Sequence, residues 1–134
     1  MRCNLAIITS ILVLNAAIAG SACGATALGE EQKYADVVAV QVRPHGSGRF
    51  DFDTTISSPY DTPQRYADAF RVMSSDGVVF GERILWHDHA SEQPFTRDLY
   101  GVDIQAGVKR VIVQVRDLKY GYGGKTVTVT LPGR

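Results

Sequence analysis

From about residue 35 onward, apolar and polar residues alternate singly along most of the chain, and turn-forming residues interrupt the alternation at spacings of about ten. Val38, Val40 and Val42 share one face of a run from Asp36 to Arg43, and Phe50, Phe52 and Ile56 share one face of a run from Phe50 to Ser57. Further runs extend from Tyr66 to Met73 and from Val78 to His89. Near the end, Val111, Val113 and Val115 oppose Arg110, Gln114 and Arg116, and Val127, Val129 and Leu131 oppose Thr126, Thr128 and Thr130. A period of two sends successive side chains to opposite faces, so each run predicts a strand with one buried face. No segment carries a helical stripe. Ser74-Ser75-Asp76-Gly77 predicts a hairpin between the third and fourth runs, with Gly77 suited to a positive φ. Pro44 to Gly48 and Ser58 to Gln64 predict loops. One-sided strands in this number predict a single antiparallel β-sandwich.

The first 27 residues break this pattern. Arg2 precedes an apolar run from Leu5 to Ile18, and small residues follow to Ala27, which together read as a cleaved signal peptide over residues 1–27 ahead of a β-sandwich domain over 28–134. The apolar run is shorter than the roughly 20 residues a membrane-spanning helix requires. Export to the periplasm or cell envelope is the expectation. Cleavage after Ala22 or Ala27 is favoured, since small residues stand at the first and third positions before each cut. Ser21-Ala22-Cys23 also resembles the end of a lipoprotein signal, in which Cys23 becomes the lipid-modified first residue, although Gly20 stands where that pattern usually has leucine. Either Cys23 carries a lipid or it is lost with the signal peptide. Because Cys3 is removed in both cases, no intrachain disulfide is available to the mature domain.

About 107 residues then remain, enough for one domain held by its own core. The full chain has 14 basic and 14 acidic side chains. Loss of Arg2 leaves a mature charge of about minus one, a balance that points away from nucleic acid and leaves the membrane only a contact through a lipid on Cys23.

Candidate chemistry concentrates in Trp86-His87-Asp88-His89-Ala90-Ser91-Glu92-Gln93-Pro94-Phe95, which holds two of three histidines and the only tryptophan. Continued alternation would place Val78, Phe80, Ile84 and Trp86 on the core face and Arg83, Leu85, His87 and His89 on the other. Two imidazoles side by side, with Glu92 returning after a turn, supply three ligands of the kind zinc or copper(II) takes. The alternative is that the histidines only cap the strand end through hydrogen bonds. Gly81, His87, His89 and Glu92 also nearly match the first motif of cupins, but no histidine follows His89 to complete a cupin ligand set. No Cys-x-x-Cys pair or Gly-x-Ser-x-Gly elbow occurs, and the glycines of Gly121 to Gly124 precede a strand where a phosphate loop would open a helix.

Two resemblances add to this reading. The C-terminal third, with a valine strand after Gly107-Val108-Lys109-Arg110, a Gly/Tyr-rich loop and a threonine strand, resembles the last hairpin of fibronectin type III and other immunoglobulin-like domains. That resemblance implies an immunoglobulin-like sandwich of about seven strands and carries no activity. Tyr66-Ala67-Asp68, His87-Asp88-His89, Glu92-Gln93-Pro94-Phe95-Thr96-Arg97 and Gly121-Tyr122-Gly123-Gly124-Lys125-Thr126 resemble a family of small exported bacterial proteins without an assigned function. The likeness runs from Val37 to Pro132, but Asp88 stands where that family more often has proline and Tyr120 where it often has histidine. It implies that these segments form one surface, to which Arg97, Tyr120 and Tyr122 would contribute.

The first expectation is therefore a non-enzymatic binding or accessory module, taking a protein or small ligand through a rim of His87, His89 and Glu92. A small zinc- or copper-binding protein using the same three residues is second. A cupin-like metalloenzyme is third, because about 107 residues must also build the core.

Overall fold

A computed structural model of the protein describes residues 32–134. The signal-peptide and Cys23 expectations, and the domain boundary at residue 28, lie outside the described residues. The strands are β1 (Asp36–Gly46), β2 (Arg49–Ser57), β3 (Ala67–Met73), β4 (Val79–Ile84), β5 (Phe95–Asp103), β6 (Arg110–Asp117), β7 (Gly121–Tyr122) and β8 (Val127–Thr130). They form two antiparallel sheets, one ordered β1-β2-β5 and the other β4-β3-β6, with β7 and β8 both pairing with β6. The chain crosses between sheets after β2, after β4 and after β5. This is the immunoglobulin-like sandwich, with eight strands where about seven were expected.

Phe52, Ile56, Phe95 and Ile104 from one side meet Phe70, Val72, Val111, Val113 and Val115 from the other, all buried. The hairpin at Ser74 to Val78 forms as predicted, with Gly77 at φ +90°. Both sheets show how a bulge redirects a face. A register shift between Val37 and Ala39 buries Val37 and turns Val38 outward, so Val38 does not share a face with Val40 and Val42.

β5 is a strand that alternation did not reveal. Phe95, Arg97 and Leu99 oppose Ile56, Thr54 and Phe52, but a bulge follows, and Val102 resumes the pairing opposite Phe50. Gly101, at φ +64°, lies in that irregularity. A charged pair at Arg97-Asp98 and a misplaced glycine thus conceal a strand whose backbone pairs over nine residues.

β4 stops at Ile84, five residues before the predicted end at His89. Phe80 packs against the core as expected, but from Gly81 onward the facing is the reverse of the expectation. Pairs Phe70–Arg83 and Val72–Gly81 put Gly81 and Arg83 inward, and a Cβ on Gly81 would lie 3.3 Å from Val102 of the opposite sheet. Arg83, expected on the outer face, reaches across the sandwich edge to the Asp98 carboxylate and closes it with an ion pair. Leu85 is buried in consequence, and Trp86 is 81% exposed.

Candidate functional site

The connections that leave β2, β4 and β6 all lie at one end of the sandwich, because β1 starts there, β2 ends there, β3 starts there and β5 starts opposite Ile56. This pole gathers Gln32 to Ala35, Ser58 to Tyr66, Leu85 to Pro94 and Leu118 to Thr126. The histidine loop, Tyr66 and the start of the Gly/Tyr-rich loop therefore meet at it. His45, the third histidine, lies at the opposite pole, with its Nδ1 2.9 Å from Asp51.

Asp61 organises the pole. It is only 4% exposed, and its Oδ1 accepts a hydrogen bond from the Ala67 amide at 3.2 Å while its Oδ2 accepts one from the His89 amide at 3.0 Å. One carboxylate thus ties the start of β3 to the loop after β4. Burial pushes its carboxyl above the usual carboxylate range, against the hydrogen bonds from His89, Ser58 and Ala67. Gln93 fastens the other side of the loop: its side-chain oxygen accepts from the Ser58 amide at 2.8 Å, and its nitrogen donates to Ser58 Oγ and to the His89 carbonyl.

These anchors turn the two histidines to different environments. His89 is 5% exposed and stacks on buried Phe95, with ring centroids 3.9 Å apart and planes at 12°. Its Nδ1 is buried without a hydrogen-bond partner. Burial, and then the neighbouring Arg97 and His87 charges, lower its pKa below the ordinary histidine value, so the ring is neutral at pH 7. His87 is exposed, with its ring centroid 4.8 Å from that of His89 and its Nδ1 2.8 Å from the Asp88 carbonyl. That carbonyl can only accept, so His87 Nδ1 carries a proton, and in the neutral ring Nε2 presents a lone pair. Glu92 faces Arg97, which donates to it at 3.0 Å and holds its carboxyl below the usual range. The structure thus brings His87 and His89 together, while Glu92 pairs with Arg97 of β5. Among the described residues no group of three His, Cys, Asp or Glu side chains is placed to hold one metal ion.

Tyr120 and Tyr122 separate as well. Tyr122 lies on the outer face of the second sheet, where its hydroxyl donates to Glu82 at 3.0 Å and Arg71 stacks 3.7 Å from its ring centroid. Burial and then the Glu82 hydrogen bond push its phenol up to about 12. Tyr120 stays at the pole in a cluster of rings and cations that sequence reading missed. The Arg65 guanidinium lies 4.0 Å from the Tyr60 ring centroid and 4.9 Å from that of Tyr120, and it donates to Asp117 at 3.2 Å. It also donates to the Gln32 and Lys33 carbonyls, clamping the incoming chain to the pole. Asp117, fully buried, accepts from the Lys119 and Tyr120 amides. A hint existed in the sequence, since an aspartate ending a valine strand and followed by a glycine-rich loop is a common turn acceptor.

The glycines of that loop have a specific reason. A Cβ on Gly123 would lie 2.5 Å from the Tyr34 ring, and one on Gly124 would lie 1.9 Å from the Ala35 carbonyl oxygen. The first residues of the domain pass directly against the loop, and Val37 donates its amide to the Lys125 carbonyl at 2.9 Å. Only glycine permits this approach.

The cavity lined by Ser75, Arg110, Ile112 and Thr128 lies away from this pole, beside the hairpin before β4. An immunoglobulin-like strand order differs from the jelly roll on which a cupin site is built. No family model matches the chain, and no solved structure matches it. The chain is similar to a protein of Halomicrobium mukohataei that bears the name "Putative lipoprotein", with 34% identity over 95 residues. The match covers 71% of this chain and 46% of that protein, so the chain spans about half the length of the curated relative it matches.

Proposed function

We propose that this protein is an exported, lipid-tethered binding module of the cell envelope, and that the pole carrying Trp86, His87 and Tyr120 is its working surface. The observation that carries the reading is convergence. The incoming chain at Gln32 and Lys33, the histidine loop and the exposed Trp86 and Tyr120 rings meet at one pole, while His45, two hairpin turns and the β5–β6 connection lie at the other. The name of the similar protein supports a lipid on Cys23, and the leader of this chain supports export. Intact-mass measurement of protein isolated from its native envelope tests this. A chain beginning at Cys23 with a diacylglycerol-sized addition is expected. A species retaining residues 1–22, or one beginning beyond Cys23, would contradict it.

A second reading is favoured by one observation, the lone pair that His87 Nε2 presents beside the neutral His89 ring. In that reading zinc or copper(II) takes both imidazoles, and Glu92 joins only by leaving Arg97. Calorimetric titration should then show binding that weakens from pH 7.5 to pH 5.5 as the histidines protonate. His87→Ala should abolish it, and Arg97→Gln should strengthen it by releasing Glu92. Unchanged affinity in Arg97→Gln would remove Glu92 from the ligand set.

A further inference from the structure

Trp86, Tyr66 and Leu118 form a row across the pole, because they flank the pole ends of the adjacent strands β4, β3 and β6. The Tyr66 hydroxyl meets the Trp86 carbonyl at 3.4 Å, and the Tyr66 carbonyl accepts from the Leu118 amide at 2.9 Å. Strands about 4.8 Å apart make this row about 10 Å long. Tyr120 extends it, with Tyr34 edge-on at 6.2 Å. Trp86, Leu118 and Tyr120 are 81%, 47% and 41% exposed, an unusual concentration of large apolar surface on a small domain. Two ammonium groups flank the row: Lys33 lies 5.0 Å from the Tyr120 ring centroid, and so does Lys119. Neither lysine has an acidic partner among the described residues. The overall charge balance hides this local separation.

We infer that this row docks on a phospholipid bilayer surface, with Trp86, Leu118 and Tyr120 in the headgroup layer and Lys33 and Lys119 against lipid phosphates. Rings with one apolar and one polar end, bordered by lysines, suit that boundary. The position of the chain start selects a membrane over other occupants. Lys33 stands ten positions after Cys23, and an extended chain spans at most about 3.6 Å per residue. A lipid on Cys23 therefore holds Lys33 within about 36 Å of the bilayer, and Arg65 clamps Lys33 to this pole. The opposite pole is removed from Lys33 by the length of the strands and is therefore held less closely. The inference rests on the tethered reading for its geometry, though the row could dock without a tether.

Trp86 is the only tryptophan, so its fluorescence reports docking directly. Protein from the native envelope is combined with vesicles of phosphatidylcholine alone and of phosphatidylcholine with phosphatidylglycerol. Docking shifts Trp86 emission to shorter wavelength and protects it from acrylamide, more strongly on the anionic vesicles. Lys33→Gln with Lys119→Gln should lower the docked-to-free ratio there about 25-fold, at about fivefold per lysine. Leu118→Asp should abolish the shift, with far-UV circular dichroism confirming an intact fold. Co-sedimentation of the protein with vesicles while Trp86 stays as accessible as in buffer would overturn the docking and leave the tether standing. A mass showing no lipid on Cys23 would instead overturn the tether, and the same fluorescence would still decide the docking. A shift retained in the lysine and Leu118 variants would also overturn it.

Discussion

Replacing Asp61 by asparagine should destabilise this protein by about half as much as replacing it by alanine. The two carboxylate oxygens serve two different donors, the Ala67 amide at 3.2 Å and the His89 amide at 3.0 Å. Alanine leaves both amides unpaired in a site where the residue itself is only 4% exposed. Each unsatisfied buried donor costs about 1–3 kcal/mol, so Asp61→Ala should lose about 2–6 kcal/mol. Asparagine retains one acceptor oxygen but points its NH2 group at the other amide, so Asp61→Asn should lose about 1–3 kcal/mol and repel the loop it is meant to hold. Against a total of about 5–15 kcal/mol, either loss is readily measured by urea unfolding followed by circular dichroism. Hydrogen exchange localises the effect: the His89 amide should lose protection in Asp61→Asn while Val113, in the centre of β6, keeps it. Because burial raises the Asp61 carboxyl pKa, the folded state takes up this proton first as pH falls, and this group alone favours folding in acid. An asparagine variant with unchanged stability and an equally protected His89 amide would refute the reasoning.

Trp86→Ala should change stability by no more than about 0.5 kcal/mol, whereas Leu85→Ala should cost about 2–5 kcal/mol, and denaturation of both variants checks the facing of this segment. Gly124→Ala should cost at least about 1–3 kcal/mol by forcing Ala35 away, while alanine at Gly77, which has open space around it, should cost only the strain of its positive φ. His89 has a folded pKa below its unfolded value, so the unfolded state binds more protons and stability should fall as pH drops below about 6.5. His89→Phe keeps the stack on Phe95 and should remove this loss, measured by chelator-treated unfolding at pH 7.5 and 5.5. A wild type no more acid-sensitive than the variant would contradict the burial of the ring.

The alternating valines of β6 and β8 and the hairpin before β4 were legible because one face of each strand is apolar and the period holds throughout. β5 was illegible because Arg97 and Asp98 interrupt its apolar set and the irregularity around Gly101 shifts it. The facing of β4 from Gly81 onward read backwards for a related reason. Its inner positions near the sandwich edge are filled by Gly81, for close approach, and by Arg83, for an ion pair, so apolar count pointed the wrong way. Of the candidate site, the sequence indicated which segments belong to one surface, and the fold places the histidine loop, Tyr66 and the start of the Gly/Tyr-rich loop at one pole. It did not distinguish buried His89 from exposed His87, because that difference depends on Asp61 and Phe95, which lie at other places along the chain. Arg65, Tyr60 and Asp117 were missed for the same reason: their partnership exists only across loops.

The claim that this pole is the working surface is tested most directly by oxidative footprinting of the protein in its native envelope and after purification. Trp86, His87 and Tyr120 should be markedly less reactive in the envelope, while His45 at the opposite pole and Tyr100 on β5 react equally in both. Equal reactivity of Trp86 and Tyr120 in the two preparations, or protection confined to His45 and Tyr100, would contradict the account.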